Sequence, residues 1–429
     1  MNKGLARGDE PYDVAVIGAG VVGCAITRRF VLEGARTVLL EKAPDILDGA
    51  SKGNSGILHT GFDAPVGSLE QRCVAEGYAE YVAIRERLGL PLIRSGALVI
   101  AWNEAEEAAL PALMEQARQN GVEDVEALTG AELRALEPGL AATARAGFRV
   151  AGESLIDPWT APHAYLLQAL ENGGELRREC EVTGGDFDGR VWRLATTQGA
   201  VAARLVINAA GLYGDVVDER LSGRKSFSIR PRKGQFVVYD KAAAALASHI
   251  LLPVPSKITK GIVVCRTAFG NLIVGPTAEE QQDRREAALV PETLAALKAR
   301  GEEILPALKD MPVTALYAGL RPATEFKDYQ IRAERECNYV TVGGVRSTGL
   351  SAALGIAGHV FRLSTAFPPP LVPIDDPVWP ALRPIAESCE RDWQREGNGG
   401  IVCHCELVTR REIEDAMADA QAPRAFAGL

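Results

Sequence analysis

A mixed α/β fold in two domains, with the first domain interrupted in sequence, follows from three observations in this chain of 429 residues. Near the N-terminus, a glycine-rich turn joins a short apolar strand to a helix. A second glycine-rich strand-to-helix turn, Asn208-Ala-Ala-Gly-Leu-Tyr-Gly-Asp215, comes far downstream. Alternating or apolar runs at Ser226 to Tyr239, Gly261 to Cys265 and Asn271 to Val274 then read as a separate, mostly antiparallel sheet.

The first turn lies in Asp13-Val-Ala-Val-Ile-Gly-Ala-Gly-Val-Val-Gly-Cys24. Val14 to Ile17 reads as a parallel strand covered on both faces. Gly18, Gly20 and Gly23 give G-x-G-x-x-G: the first permits the tight turn, the second lets backbone approach a pyrophosphate, and the third lets helix and strand pack closely. The helix, about Val21 to Glu33, aims its N-terminal N–H groups at phosphates. After Gly34, Thr37 to Glu41 reads as the second strand, and its closing Glu41 is placed to hydrogen-bond an adenosine ribose. Together these make a Rossmann-like dinucleotide site. Spacing leaves open which dinucleotide it takes.

Composition bounds the rest. Hydrophobic residues make up 47% and charged residues 24%, as in ordinary globular proteins. A net charge of −9 gives no support to a nucleic-acid partner or an anionic membrane surface. No run of eighteen apolar residues predicts a transmembrane segment. Met1 to Pro11 is polar and lacks a signal-peptide core, which predicts a cytoplasmic protein, with peripheral attachment to the inner membrane face left open. Eight cysteines, scattered except for one pair, predict reduced thiols.

In chain order, a Gly/Ser-rich loop from Asp48 to Gly56 leads to Ile57-Leu-His-Thr-Gly61. Short residues there let backbone lie close to a flat ligand. On the residues alone, His59 reads more readily as a satisfied loop histidine than as a catalytic one. Helices are predicted over Ser68 to Leu88, Asn103 to Asn120 (with an awkward Pro111), Thr129 to Leu136, Thr160 to Asn172, Pro291 to Leu308 and Leu350 to Leu363. Strands are predicted at Gly96 to Trp102, Gly147 to Ala151, Cys180 to Val182, Arg204 to Asn208, Ala315 to Pro322 and Asn338 to Gly343. Pro368-Pro-Pro370 starts a linker.

Several stretches resemble the D-amino-acid-oxidase-like FAD oxidoreductases, most closely the glycerol-3-phosphate oxidase and dehydrogenase branch. They are Ala50 to Asp63, Ile156-Asp-Pro158, Arg232 to Gln235, Lys260 to Val264, Asn271 to Thr277, Ala318-Gly-Leu-Arg-Pro322 and Gly344 to Leu350. L-2-Hydroxyglutarate dehydrogenases share much of this pattern. The resemblance implies FAD as cofactor, held by Gly18, Gly20, Val22, Gly23, Glu41 and Lys42, by Ser51, Asn54, Ser55, Gly56 and Leu58, by Val182, Ala210 and Gly211, and by Gly344, Gly349 and Leu350. It implies an FAD-binding domain over 12–92, 150–225 and 325–366, and a substrate domain over 93–149 and 226–324.

The chemistry implied is oxidation of a small anionic secondary alcohol, with hydride passing to flavin N5 and His59 taking the hydroxyl proton. Arg321 and Lys260 would hold the anionic end, with Arg346 and Ser347 near the flavin. Lys260 reads equally as a solvated loop lysine beside Lys257. Glycerol 3-phosphate is the first substrate expected; a 2-hydroxy acid or an amino acid is the alternative. Ser347-Thr-Gly349 and Cys265-Arg266 depart from the branch pattern, which loosens the substrate assignment. Oxygen, a quinone and a ferredoxin-like subunit are the electron acceptors considered, and an electron-transfer subunit is the non-enzymatic alternative.

After a linker over 367–400, residues 401–429 resemble the start of the bacterioferritin-associated-ferredoxin-like module. Cys403 and Cys405 match its first ligand pair, whereas a [2Fe–2S] cluster takes four thiolates. The expectation is therefore an incomplete [2Fe–2S] tail with no metal, ending in a helix of few partners.

Overall fold

The first strand is apolar throughout because both of its faces are covered. In the computed structural model, which describes residues 10–255, 261–365 and 371–425, Val14 and Val16 face a core built with the helices Val21–Leu32, Leu69–Leu88, Thr160–Glu171 and Gly349–Ser364. Ala15 and Ile17 face the opposite way, onto Trp192, Leu194 and Val201 of a β-meander. The sheet holding this strand has eight strands. Its parallel part runs Glu175–Arg177, Thr37–Leu40, Tyr12–Ile17, Gly199–Asn208, Tyr339–Gly343. Gln330–Glu334 adds an antiparallel edge. Strands from three separate parts of the sequence thus meet in one sheet, and their carboxyl ends open on a common crevice, where ligands of open α/β sheets bind.

The second sheet has nine strands and is antiparallel apart from the pairing of Ile250–Pro253 with Ala97–Ala101. Arg230–Tyr239 is its spine, paired along its length with Val313–Ala323. One face, with Leu98, Val237, Val264 and Val274, packs on Leu294 and Leu297 of the helix Pro291–Ile304. The other face, with Val99, Phe236, Cys265 and Ile273, packs on Ile57 and Phe62. Those two residues flank His59.

The two sheets meet where the Gly/Ser-rich loop crosses Val313–Ala323. A Cβ built on Gly53 would stand 2.6 Å from Gly319 Cα, and one on Gly319 would stand 2.8 Å from Gly53 Cα. Only a pair of glycines permits that approach. Beside it, the Tyr317 hydroxyl donates to Asn54 O at 2.8 Å, and its ring stacks on Phe236 at 4.6 Å.

Several sequence expectations are corrected here. Cys180 to Val182 is not a strand: Cys180 N–H donates to Glu41 O at 2.8 Å, and Val182 opens the meander strand Val182–Phe187. The strand beside Thr37–Leu40 is instead Glu175–Arg177, three residues with no apolar period. The helix from Pro291 stops at Ile304, because Pro306 holds Leu305 in extended backbone and starts a 3₁₀ turn. Strands Val125–Thr129, Ile250–Pro253 and Gln330–Glu334 were not anticipated.

Past the linker, Ile401–Cys403 and Val408–Thr409 form a hairpin that leads into the helix Arg410–Ala418. No residue of that helix is buried, but Arg411 pairs with Asp392 at 2.6 Å. Beyond it, Asp45 accepts the N–H groups of Arg424 and Ala425. The expected helix of few partners is therefore anchored at both ends. No helix among the described residues is long and apolar enough to cross a membrane.

The seam sets a prediction. Gly319→Ala places a methyl group against backbone, and overpacking of this kind costs about 1–3 kcal/mol. A lowered thermal midpoint is expected, whereas Gly223→Ala, where a Cβ meets open space but φ is positive, reports strain alone. An unchanged midpoint in Gly319→Ala would show that the seam yields freely.

Candidate active site

A cavity of about 1080 Å³ lies between the carboxyl ends of the parallel strands and the inner face of the second sheet. Cofactor sites of roughly 300–1,000 Å³ are common, so it has room for a large ligand. At one end, Gly18 has φ +101° and a Cβ there would stand 2.8 Å from Ala209 O. Gly23 sits behind this turn, where a Cβ would stand 1.8 Å from Gly18 O. The helix Val21–Leu32 therefore begins hard against the strand. Its N-cap, Gly20, offers no side chain, and Val21 N–H donates to Ser51 Oγ at 3.0 Å. Gly18, Gly20, Val22 and Ser51 line the cavity; Gly23 does not.

Glu41 is buried at the cavity wall. Its two oxygens accept Ala19 N–H at 2.7 Å and Ala43 N–H at 2.8 Å. Burial pushes its carboxyl above the ordinary range, against the pull of those two donors. Lys42 sits 3.1 Å from the centre of the Tyr213 ring. Val182, Ala210 and Gly211 complete this end. The second glycine turn is shaped by Asn208, fully buried, which accepts Ala210 N–H at 3.2 Å and donates to Gly214 O at 2.8 Å.

Along the middle runs the Gly/Ser-rich loop. The Asn54 side chain accepts Gly56 N–H at 2.7 Å and donates to Ser51 O at 2.9 Å, which turns the loop back on itself. Asn54 and Ser55 line the cavity. Gly56 pairs with Ile156 instead, and Leu58 points into the core of the first domain. His59 lines the cavity with its side chain 19% exposed. Its backbone N–H donates to Ser351 Oγ at 2.8 Å, and its Nδ1 lies 2.8 Å from Glu153 Oε2. Glu153 is fully buried, and its other oxygen accepts the Thr60 N–H at 2.6 Å and the Thr60 hydroxyl at 2.8 Å. Sequence reasoning missed Glu153; its one signal is its place three residues before Ile156-Asp-Pro158.

On the facing wall, Arg321 projects from Val313–Ala323. Its guanidinium donates to Thr277 O and, at 3.5 Å, to Lys233 O, and among the described residues no carboxylate pairs with it. Burial, and then the neighbouring Arg232, push its pKa down to about 10, so it stays cationic at neutral pH. Arg346 and Ser347 line the cavity with Gly344, Gly349 and Leu350, at the start of the helix Gly349–Ser364. That helix has no side-chain cap. The hydroxyl of its N-cap residue, Thr348, instead donates to the buried Glu70 at 2.8 Å and meets the Tyr329 hydroxyl at 2.6 Å. Its first N–H groups are left for the cavity. Lys260 lies outside the described residues. In the tail, Cys403 and Cys405 are exposed.

One cavity thus holds two helix N-termini without capping side chains of their own, a half-buried guanidinium with no carboxylate partner among the described residues, and an imidazole. The first two suit anions, and the last suits proton transfer.

The family described as DAO, FAD dependent oxidoreductase, matches residues 13–363. A glycerol 3-phosphate dehydrogenase of Caloramator mitchellensis is 30% identical over 418 residues, covering 95% of this chain and 86% of that protein. A glycerol 3-phosphate oxidase of Mycoplasma pneumoniae is 30% identical over 364 residues, 82% of this chain and 94% of that protein. The solved structure of dithionite-reduced L-alpha-glycerophosphate oxidase from Mycoplasma pneumoniae, with FAD bound, superposes with a TM-score of 0.81 at 27% identity, over 87% of this chain and 99% of that one.

Glu41→Ala leaves the Ala19 and Ala43 N–H groups without their acceptor. Each unsatisfied buried donor costs about 1–3 kcal/mol. The purified variant should retain less dinucleotide and melt earlier, with added dinucleotide recovering part of the difference. Full dinucleotide content at a wild-type midpoint would remove Glu41 from the site.

Proposed function

Because this chain belongs to the family of FAD-dependent oxidoreductases, we propose that it oxidises glycerol 3-phosphate at the secondary hydroxyl, with His59 as base and Arg321 as clamp on the phosphate. The residues present fit FAD. The turn at Gly18 has no room for a Cβ, the helix from Val21 begins at the cavity wall with Ser51 Oγ on its first N–H, and buried Glu41 follows the second strand, where such folds bind an adenosine ribose. Gly20, Val22, Lys42, Ser51, Asn54, Ser55, Val182, Ala210, Gly211, Gly344, Gly349 and Leu350 would complete its contacts, with Gly23, Gly56 and Leu58 shaping the wall from behind. When bound, FAD would supply the acceptor for the hydride of the alcohol carbon, which carries both electrons of the oxidation.

The protein's own residues do the rest. His59 takes the hydroxyl proton, which raises electron density on the carbon that loses hydride. Arg321 offers a planar pair of N–H donors, a match for two phosphate oxygens, and Lys260 adds a second cation. Arg346 and Ser347 would stand near the flavin at the start of Gly349–Ser364, whose N-terminal dipole would favour negative charge there. Phe62 and Phe236 line the cavity between the two walls and exclude water. The observation that carries this reading is that an imidazole and a guanidinium with no carboxylate partner among the described residues line the same cavity as the dinucleotide turn.

Similarity to an oxidase supports oxygen as the electron acceptor. We read the tail hairpin, where Cys403 and Cys405 are exposed, as the opening of an incomplete ferredoxin-like module without metal, on which a ferredoxin-like partner docks. We assign FAD binding to 12–92, 150–225 and 325–366, and substrate binding to 93–149 and 226–324.

His59→Asn and Arg321→Met test the assignment. Both should purify with bound flavin. His59→Asn should slow anaerobic flavin reduction by glycerol 3-phosphate roughly 10²–10⁴-fold, the range of a general base. Arg321→Met should weaken substrate binding by at least ~10-fold, as expected for loss of a charge-assisted pair. Wild-type reduction rates in His59→Asn would refute the base.

A further inference from the structure

We propose that Glu153 is a positioning residue that fixes the tautomer of His59 and leaves the lone pair of Nε2 toward the cavity. Its consequence for turnover rests on the reading of His59 given above; the placement of the proton does not.

A fully buried carboxyl group persists only if its lone pairs are used. Those of Glu153 Oε1 are used by two donors, the Thr60 N–H and hydroxyl at 2.6 and 2.8 Å, and Oε2 faces His59 Nδ1 at 2.8 Å. A glutamate carboxylate has no proton to donate and can only accept. Nδ1 must then carry the proton. In a neutral imidazole that makes Nε2 the acceptor, the form a proton-abstracting base needs. The ring is held in place as well as in protonation, because the His59 backbone N–H is fixed on Ser351 Oγ, which in turn donates to Ile57 O at 3.2 Å.

The same contacts make one substitution diagnostic. In Glu153→Gln, the two Thr60 donors keep an oxygen at the Oε1 position. The NH₂ group is thereby turned toward His59 and donates to Nδ1. The ring proton must move to Nε2, so the cavity-facing nitrogen becomes a donor with little change in shape. An amide replacing an orienting carboxylate is known to trap the wrong tautomer in this way in a serine-protease triad.

The test is nitrogen NMR on the oxidised holoenzyme, selectively labelled at histidine, with the neutral His59 ring assigned by its loss in His59→Asn. Wild type should show the proton on Nδ1. Glu153→Gln should show it on Nε2, with anaerobic reduction by glycerol 3-phosphate slowed roughly 10²–10⁴-fold and little change in substrate affinity. A wild-type ring protonated on Nε2 would overturn the proposal even if Glu153→Gln failed to fold, as would a variant whose tautomer did not change. A flipped tautomer with an unchanged reduction rate would uphold the role of Glu153 and overturn His59 as the base.

Discussion

The backbone contact between Gly53 and Gly319 decides what the rest of this structure can do. Neither glycine lies in the dinucleotide turn, and neither carries chemistry. Yet their approach draws the loop that ends in His59 against the strand that carries Arg321. It adds to the packing of Ile57 and Phe62 on the second sheet, and sets the dinucleotide crevice opposite the strand that carries the cation. With it the crevice becomes a cavity walled on both sides, with Tyr317 fastened to Asn54 beside the seam.

Charge is distributed along that cavity in keeping with the chemistry proposed for it. Helices Val21–Leu32 and Gly349–Ser364 both begin at its wall, and neither N-cap residue supplies a side-chain cap of its own. Those N-termini, Lys42, Arg321 and Arg346 are among its positive features, and among the described residues no carboxylate pairs with Arg321. Buried acids are instead tied to specific donors: Glu41 to two backbone N–H groups, Glu70 to Thr348, and Glu153 to Thr60 and His59. A chain of net charge −9 thus presents its ligands with a locally cationic interior.

What was legible in the sequence was local. The turn from Val14 to Gly23 and the acid at Glu41 could be read because strand, turn, helix and second strand are contiguous and each has its own period. The mixed fold followed from a second such turn and from alternating strands. Cys180 to Val182 misled because its two outer residues are buried in a connecting stretch, which imitates a strand's alternation. Glu153 was invisible for a different reason. Its partner His59 is 94 residues away, and nothing in the period of either segment records the pairing. The position of Arg321 came from resemblance alone, since a single arginine in a strand reads equally as a surface residue. Leu58 was read as a cofactor contact because its loop resembles a flavin-contacting one, but strand alternation sends its side chain into the core and that of His59 to the cavity.

The central claim is that one cavity joins flavin to an anionic secondary alcohol. Anaerobic titration of the wild-type holoenzyme with glycerol 3-phosphate, followed by the visible absorbance of the flavin, tests it most directly. Full bleaching at one equivalent of substrate oxidised per flavin is the expected result. A flavin that stays oxidised with glycerol 3-phosphate yet bleaches with L-2-hydroxyglutarate or an amino acid would contradict the phosphate assignment.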